Sequence, residues 1–232
     1  MTQTGSCKPM KTRLDRRMLL RLSGVAGLGV MAFTLTACSG GSPSLYTLAV
    51  TPGQPQPGGP RFVEVRLPTV ASGLDRDRIV TADSGYKLTV SAADAWSDSL
   101  PAQISRVMAG DLAQRLPGTG VFVENDTVAT EPEAYVDMSI SRFSTGPSGN
   151  VELDATLSIQ PASAGAPGKD EQYYMQNFTL QGTQASATMP MVQVLSQLLG
   201  QLADVAAQQL RQLPSGQSTG RHTIVRKNTQ HG

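Results

Sequence analysis

The thiol of Cys38 is the group in this chain best placed for covalent chemistry, because of the residues that lead up to it. Leu35-Thr36-Ala37-Cys38 closes an apolar run from Val25 to Leu35, and that run follows a basic cluster of Lys8, Lys11, Arg13, Arg16, Arg17 and Arg21. A basic segment, a short apolar segment and small residues before a cut form the layout of a secretory signal. The run is too short to cross a hydrocarbon core as a helix, which takes about 20 residues. Cleavage before Cys38 is therefore expected; an ordinary signal end and a short buried helix are the competing readings. Plain secretion requires no thiol at the first mature position. A thiol there supplies a sulfur for a thioether-linked diacylglyceryl group, and cleavage frees an amine for a further acyl chain such as palmitate. At about 0.8 kcal/mol per buried methylene, more than one chain makes a stable anchor. Ser39 stands where Asp generally favours inner-membrane retention of lipoproteins, so the outer membrane is the expected location, by analogy. Asp15-Arg16-Arg17-Met18-Leu19-Leu20-Arg21 loosely resembles a twin-arginine export pattern. General secretion and twin-arginine export both stay open.

The rest of the chain offers little to a catalyst. Cys7 is lost with the leader and Cys38 is taken by lipid, so no thiol remains for a disulfide, a metal site or a nucleophile. His222 and His231 fall in a polar tail where nothing orients an imidazole. Gly146-Pro147-Ser148-Gly149 reads as a turn and not as a nucleophile elbow. Asp75 and Asp77 alternate with Arg76 and Arg78, a pattern of local charge compensation, and Glu131 and Glu133 flank Pro132 in a loop. A Gly-rich loop ending in Lys and Ser or Thr is absent, so nucleotide binding has no support. No metal or cofactor is expected, and the chain reads as a non-enzyme. Cleavage removes 37 of the 232 residues and leaves 195, with 13 basic and 17 acidic side chains. That balance lacks the clustered Lys and Arg that phosphate contacts demand, so nucleic acid is not an expected partner.

The elements that must carry any function divide the chain into a leader (1–37), a flexible tether (38–44), a periplasmic domain (45–213) and a disordered tail (214–232). Leu45 to Val50 and Arg61 to Leu67 read as strands, separated by a loop at 51–60 with four prolines and three glycines. Ile79 to Ala82 and Tyr86 to Val90 flank Asp83-Ser84-Gly85 and predict a hairpin. From Ser97 the apolar period becomes helical. Leu100, Ile104, Val107, Met108, Leu112 and Leu116 share one face, Gln103, Arg106, Asp111 and Arg115 fall elsewhere, Ser97 or Asp98 caps the start, and Pro117-Gly118 stops it. Val121 to Glu124, Ala134 to Phe143, Asn150 to Gln160 and Gln172 to Gln181 are further strands, with hairpin tips at 146–149 and 162–169. A last helix from about Pro190 to Leu213, capped by Thr188, carries an apolar face through Val194, Leu195, Leu198, Leu199, Leu202, Val205, Ala206 and Leu210. Its opposite face holds Gln193, Gln197, Gln201, Gln208, Gln209 and Gln212. This is either a solvated face or a polar subunit contact, in which uncharged groups desolvate more cheaply than charged ones. The expected fold is α+β, a mixed or mainly antiparallel sheet with two long helices packed on one face. Trp96, just before the first helix, either staples the strand-to-helix corner or anchors a partner.

Taken in order, Cys38, Tyr46-Thr47-Leu48, Val65-Arg66-Leu67-Pro68, Leu74-Asp75-Arg76, Ile79-Val80 and Trp96 leading into Leu100 resemble the PqiC/YmbA family of transport-associated lipoproteins. The resemblance covers about residues 38–213 and departs from the family pattern at Asp77 and Asp98. It implies an outer-membrane lipoprotein, anchored through Cys38 and facing the periplasm, that docks the periplasmic conduit of an ABC- or MCE-type lipid transport system and supports membrane integrity. Its implied partners are MCE-domain, permease and ATPase components. Tyr46, Arg76 and Trp96 are the implied partner or fold-corner contacts. A homo-oligomer, built as a ring around the conduit, is a further expectation motivated by the Gln-rich helix. The rival reading is an envelope hydrolase or a peptidoglycan-binding lipoprotein that works with carboxylates alone.

Overall fold

A computed structural model describes residues 41–84, 86–128, 130–164 and 173–213. The leader, Cys38, the tail from 214 onward and the tip of the expected 162–169 turn lie outside the described residues. In chain order the elements are β1 (Ser44–Tyr46), β2 (Phe62–Val65), β3 (Thr69–Val70), β4 (Arg78–Ser84), β5 (Lys87–Trp96), α1 (Leu100–Arg115), β6 (Gly120–Val123), β7 (Ala134–Thr145), β8 (Asn150–Pro161), β9 (Tyr174–Gln184) and α2 (Thr188–Leu210). They form an α+β fold with two sheets. The larger has the order β6-β2-β7-β8-β9, with β3 also on β7; the smaller has the order β1-β5-β4.

The meander β7-β8-β9 is antiparallel, whereas β2 lies parallel to both β6 and β7. Strand β8 sets the plane of the core. Its alternating Val151, Leu153, Ala155, Leu157 and Ile159 are all buried, as strict period-two patterning requires. On β7 the parity changes. A register shift between Ile140 and Arg142 inserts one extra residue, so Ile140 and Phe143 are both buried although their spacing is odd. The turn from β7 to β8 reverses at Gly149, whose φ of 80° suits a residue without Cβ.

Both helices pack on the large sheet and on each other, α1 over β2, β3 and β6 and α2 over β7, β8 and β9. The six apolar positions expected on the face of α1 are all buried. Gly182 on β9 lets α2 sit close, because a Cβ there would overlap a methyl of Val194. Helix α1 ends before Pro117-Gly118, where Gly118 takes a φ of 95°.

Several local expectations change. The first strand stops at Tyr46, because from Thr47 onward the backbone finds partners on helices and not on a sheet edge. The N-cap of α1 is Ser99, and Asp98 accepts the Ser99 N–H and the Arg106 guanidinium. Thr188 is the first residue of α2 and does not cap it; its hydroxyl donates to Asp94 at 2.7 Å. Gln103, Asp111 and Arg115, placed off the apolar face of α1, are nevertheless buried.

Candidate functional site

Cys38 lies outside the described residues, and the tether enters the described body at Gly41. Three residues later β1 joins the small sheet. Ser44, Leu45 and Tyr46 pair parallel with Asp94, Ala95 and Trp96. The Ser97 N–H donates to Tyr46 O and the Trp96 N–H donates to Asp77 O, each at 2.8 Å, so the strand-to-helix corner is fixed from both sides. Trp96 is buried, its ring 6.4 Å from that of Phe143 at a tilt of 44°, which joins the small sheet to β7 of the large one. Tyr46 is half-buried beside it. Partial burial, and after it the Asp94 carboxylate, push the Tyr46 phenol above its ordinary value. Asp94 also accepts from Ser91 and from Thr188, which ties β5 to the start of α2. Arg76 is not part of this corner. It is exposed, and its Nε donates to Gly73 O at 3.1 Å within its own loop. Asp75 and Asp77 are likewise exposed.

A second constellation was invisible to pattern reading. Residues 47–56 run as a strap over the α1–α2 pair, and its backbone is bonded by buried helix side chains. Gln103 Oε1 accepts the Leu48 N–H at 3.0 Å, Ser196 Oγ accepts the Ala49 N–H at 3.2 Å, and Asp111 Oδ1 accepts the Thr51 N–H at 2.7 Å. Arg115 completes the lock. Its Nη1 donates to Thr51 O and Asp111 O, its Nη2 to Gly200 O at 3.0 Å and its Nε to Asp204 at 2.6 Å. Gly200 permits this approach, since a Cβ there would overlap Thr51 Oγ1. Asp111 is fully buried and its Oδ2 has no hydrogen-bond partner among the described residues. Burial pushes its carboxyl up, opposed by the Thr51 N–H and by the Arg115 charge. These side chains anchor backbone and one another, so their chemistry is structural. The residues with this role are polar positions inside helical patterns, and the signal that could have found them is their adjacency to a Pro-rich loop too long to stay unpaired.

On α2 the burial is wider than the expected face. Met191, Val192, Ser196, Gly200, Ala203 and Ala207 are also covered. Beyond Met189 and Pro190 in the first turn, what stays exposed is a narrow line of Gln193, Gln197, Gln201, Asp204 and Gln208 at helical spacing. The β4–β5 hairpin is another open surface. Tyr86 is fully exposed and Leu88 and Val90 are about half exposed, at 51% and 47%. Below it, a cleft of about 350 Å3 is lined by Leu74, Ala82, Tyr86, Leu88 and Arg142 among others. Among the described residues no three His, Cys, Asp or Glu side chains group as metal ligands. No described helix is long and apolar enough to cross a membrane.

Comparison with solved structures places the same fold elsewhere. A crystal structure of a protein of uncharacterised function is 18% identical, with a TM-score of 0.59 over 73% of this chain and 99% of its own. One from Xanthomonas campestris, placed in the DUF330 family, is 16% identical, with a TM-score of 0.56 over 72% of this chain and 94% of its own. No curated protein matches the sequence. The sequence model for ABC-type transport auxiliary lipoprotein components matches residues 46–207, from the anchored corner at Tyr46 to the last turns of α2, and the chain belongs to that family, the PqiC/YmbA type.

Proposed function

We propose that this protein is an outer-membrane lipoprotein subunit of an ABC- or MCE-type lipid transport system, tethered through lipidated Cys38, and that its folded body docks the periplasmic conduit to that membrane. The observation that carries the reading is the junction of anchor and body. Six residues after Cys38 the chain is locked into β1, and the strap that follows is bonded to both helices. A pull on the anchor is thus transmitted to a rigid body and does not unravel a loose terminus. Such a body suits a load-bearing dock, in support of membrane integrity. The uncharged Gln line of α2 favours assembly of several copies, because amides are cheaper than charges to desolvate and can pair across a two-fold or cyclic contact. The partners are the MCE-domain, permease and ATPase components of the system.

The test is purification of the protein from native membranes after crosslinking. Recovery of an MCE-domain protein and its permease, together with flotation in the outer-membrane fraction, is the expected result. Sedimentation with the inner membrane, or the absence of such components from crosslinked material, would refute the assignment.

A further inference from the structure

Residues 172–203 contain no Asp, Glu, Lys, Arg or His, although 16% of the chain is charged. The run is not confined to the core. It supplies β9, the outer strand of the large sheet, and the exposed Gln193, Gln197 and Gln201 of α2. Loss of charge from an otherwise wet surface is the compositional mark of a protein contact. Strand β9 is also an open edge. Among the described residues it pairs with β8 alone, in unbroken register from Tyr174 to Gln181. Proteins ordinarily blunt such an edge with Lys, Pro, a bulge or shortness, and Tyr174 to Gln181 has none of these. The inner face of the strand is unfinished as well. Tyr174, Phe178 and Leu180 stand opposite the buried Ile159, Ala155 and Leu153 of β8, yet they are only half-buried, because among the described residues no strand lies beyond them.

We infer that β9 pairs with β9 of a second copy, antiparallel about a two-fold axis, so that the two large sheets run on as one. The inference rests on the reading that several copies assemble, and gives that assembly its contact. Charge, length and helix spacing each favour a second copy. A two-fold contact sets every residue near its own counterpart, which an uncharged strand tolerates and a charged one does not. The other described edges do not match β9. Strand β6 has four residues and β1 three, while β4, with seven, is broken by register shifts at both ends. Adding β9 to one of those would leave much of it bare. The helices leave room for the pairing. Helix α2 lies over β7, β8 and β9 and so is centred on β8. From β8 to its counterpart is three strand spacings, about 14 Å at about 4.8 Å each. Helices in direct contact stand about 8–10 Å apart, so the gap between the two α2 helices is one layer of side chains. Tyr174, Phe178 and Leu180 of both copies lie beneath that gap and close it.

The test uses the full chain in native membranes, in a Cys7→Ser background, with single substitutions Met175→Cys, Asn177→Cys, Thr179→Cys and Gln181→Cys on the outer face of β9. A thiol crosslinker spanning about 8 Å joins directly opposed and diagonal pairs. Its yield of linked copies should peak at one or two neighbouring positions and fall with distance from them, as antiparallel strands require. Asn177→Lys with Thr179→Lys, both exposed in the single copy, sets like charges beside the axis. The pair should weaken self-association in detergent at least about tenfold by sedimentation, with the circular dichroism spectrum unchanged. Equal yields at all four positions, or no yield at any, would overturn the two-fold pairing. Self-association indifferent to the lysines would keep the assembly of copies and overturn the β9 contact, whereas a chain monomeric throughout overturns both. Links from β9 to a different protein, or self-pairing only after the chain is ended at Leu213, would give the edge to that protein or to the tail, and either result overturns the inference. The lipid-transport assignment is decided by its own crosslinked partners and stands or falls apart from these outcomes.

Discussion

Replacing Arg115 with Met tests whether the strap is locked by charge or merely covered by it. Arg115 is buried and makes four hydrogen bonds, to Thr51 O, Asp111 O, Gly200 O and Asp204. The Asp204 side chain is 58% exposed, so that ion pair contributes no more than about 1 kcal/mol. The larger loss comes from Asp111. It is fully buried, one of its oxygens has no hydrogen-bond partner among the described residues, and Arg115 is the charge opposite it at 3.8 Å. Removing one partner of a buried pair costs about 3–5 kcal/mol, because the other charge is left uncompensated. At about 2–4 °C per kcal/mol for a chain of this size, the melting temperature should fall by roughly 10 °C, measured by circular dichroism on the lipoprotein in detergent at neutral pH. Adding Asp111→Asn should recover at least about 2 kcal/mol, a coupling that independent sites do not show. The pH dependence follows from the raised Asp111 carboxyl. In the window between its unfolded value, about 3.9, and its higher folded value, the native state binds more protons than the unfolded one. Its contribution is fully present below the unfolded value and is lost as pH rises through the folded one. Without Arg115 that folded value rises further, so the cost of the variant should shrink in acid and grow toward neutrality. A loss under about 1 kcal/mol, additive with Asp111→Asn, would refute the reasoning.

Three other substitutions probe separate joints. Gly200→Ala should destabilise by about 1–3 kcal/mol through overlap with Thr51 Oγ1, and the same change made in a Thr51→Ala background should cost clearly less when urea midpoints are compared. Trp96→Ala should cost about 3–5 kcal/mol by circular dichroism, because it empties the contact with Phe143 that joins the two sheets; an effect below about 1 kcal/mol would place the ring outside the core. Cys38→Ser should release the protein from the membrane fraction on carbonate extraction, and continued membrane retention would show that the chain is held by something other than lipid on that sulfur.

The two kinds of periodicity in the chain were enough to foresee the α+β class and both helices. The alternation through Val151, Leu153, Ala155, Leu157 and Ile159 permits only one buried face. The helical spacing from Leu100 to Leu116 does the same for α1. Local chemistry also marked Gly118 and Gly149 as chain-reversal points. What these patterns could not show is how a residue is used when its polarity disagrees with its position. Gln103, Asp111 and Arg115 read as lying off the apolar face of α1, where charge and amide groups usually stay in water. They are buried because the Pro-rich strap, which cannot join a sheet ladder, must find hydrogen-bond partners for its backbone on the helices. The division of the strands into two sheets was likewise beyond reach, since pairing of β1 with β5 and insertion of β2 between β6 and β7 are decided by contacts distant in sequence.

By itself, then, the sequence determined the family likeness, the class of fold and the apolar faces of its elements, and raised the expectation of a lipid address at Cys38, since all of these are written in local order and spacing. Only the tertiary structure decided that the strap is bonded to the helix pair, that Trp96 joins two sheets, and that β1 enters parallel to β5 from the side of the hairpin tip. Those facts depend on which segments meet, and the free energy of such meetings comes from burial and hydrogen bonding between groups that no local window contains together.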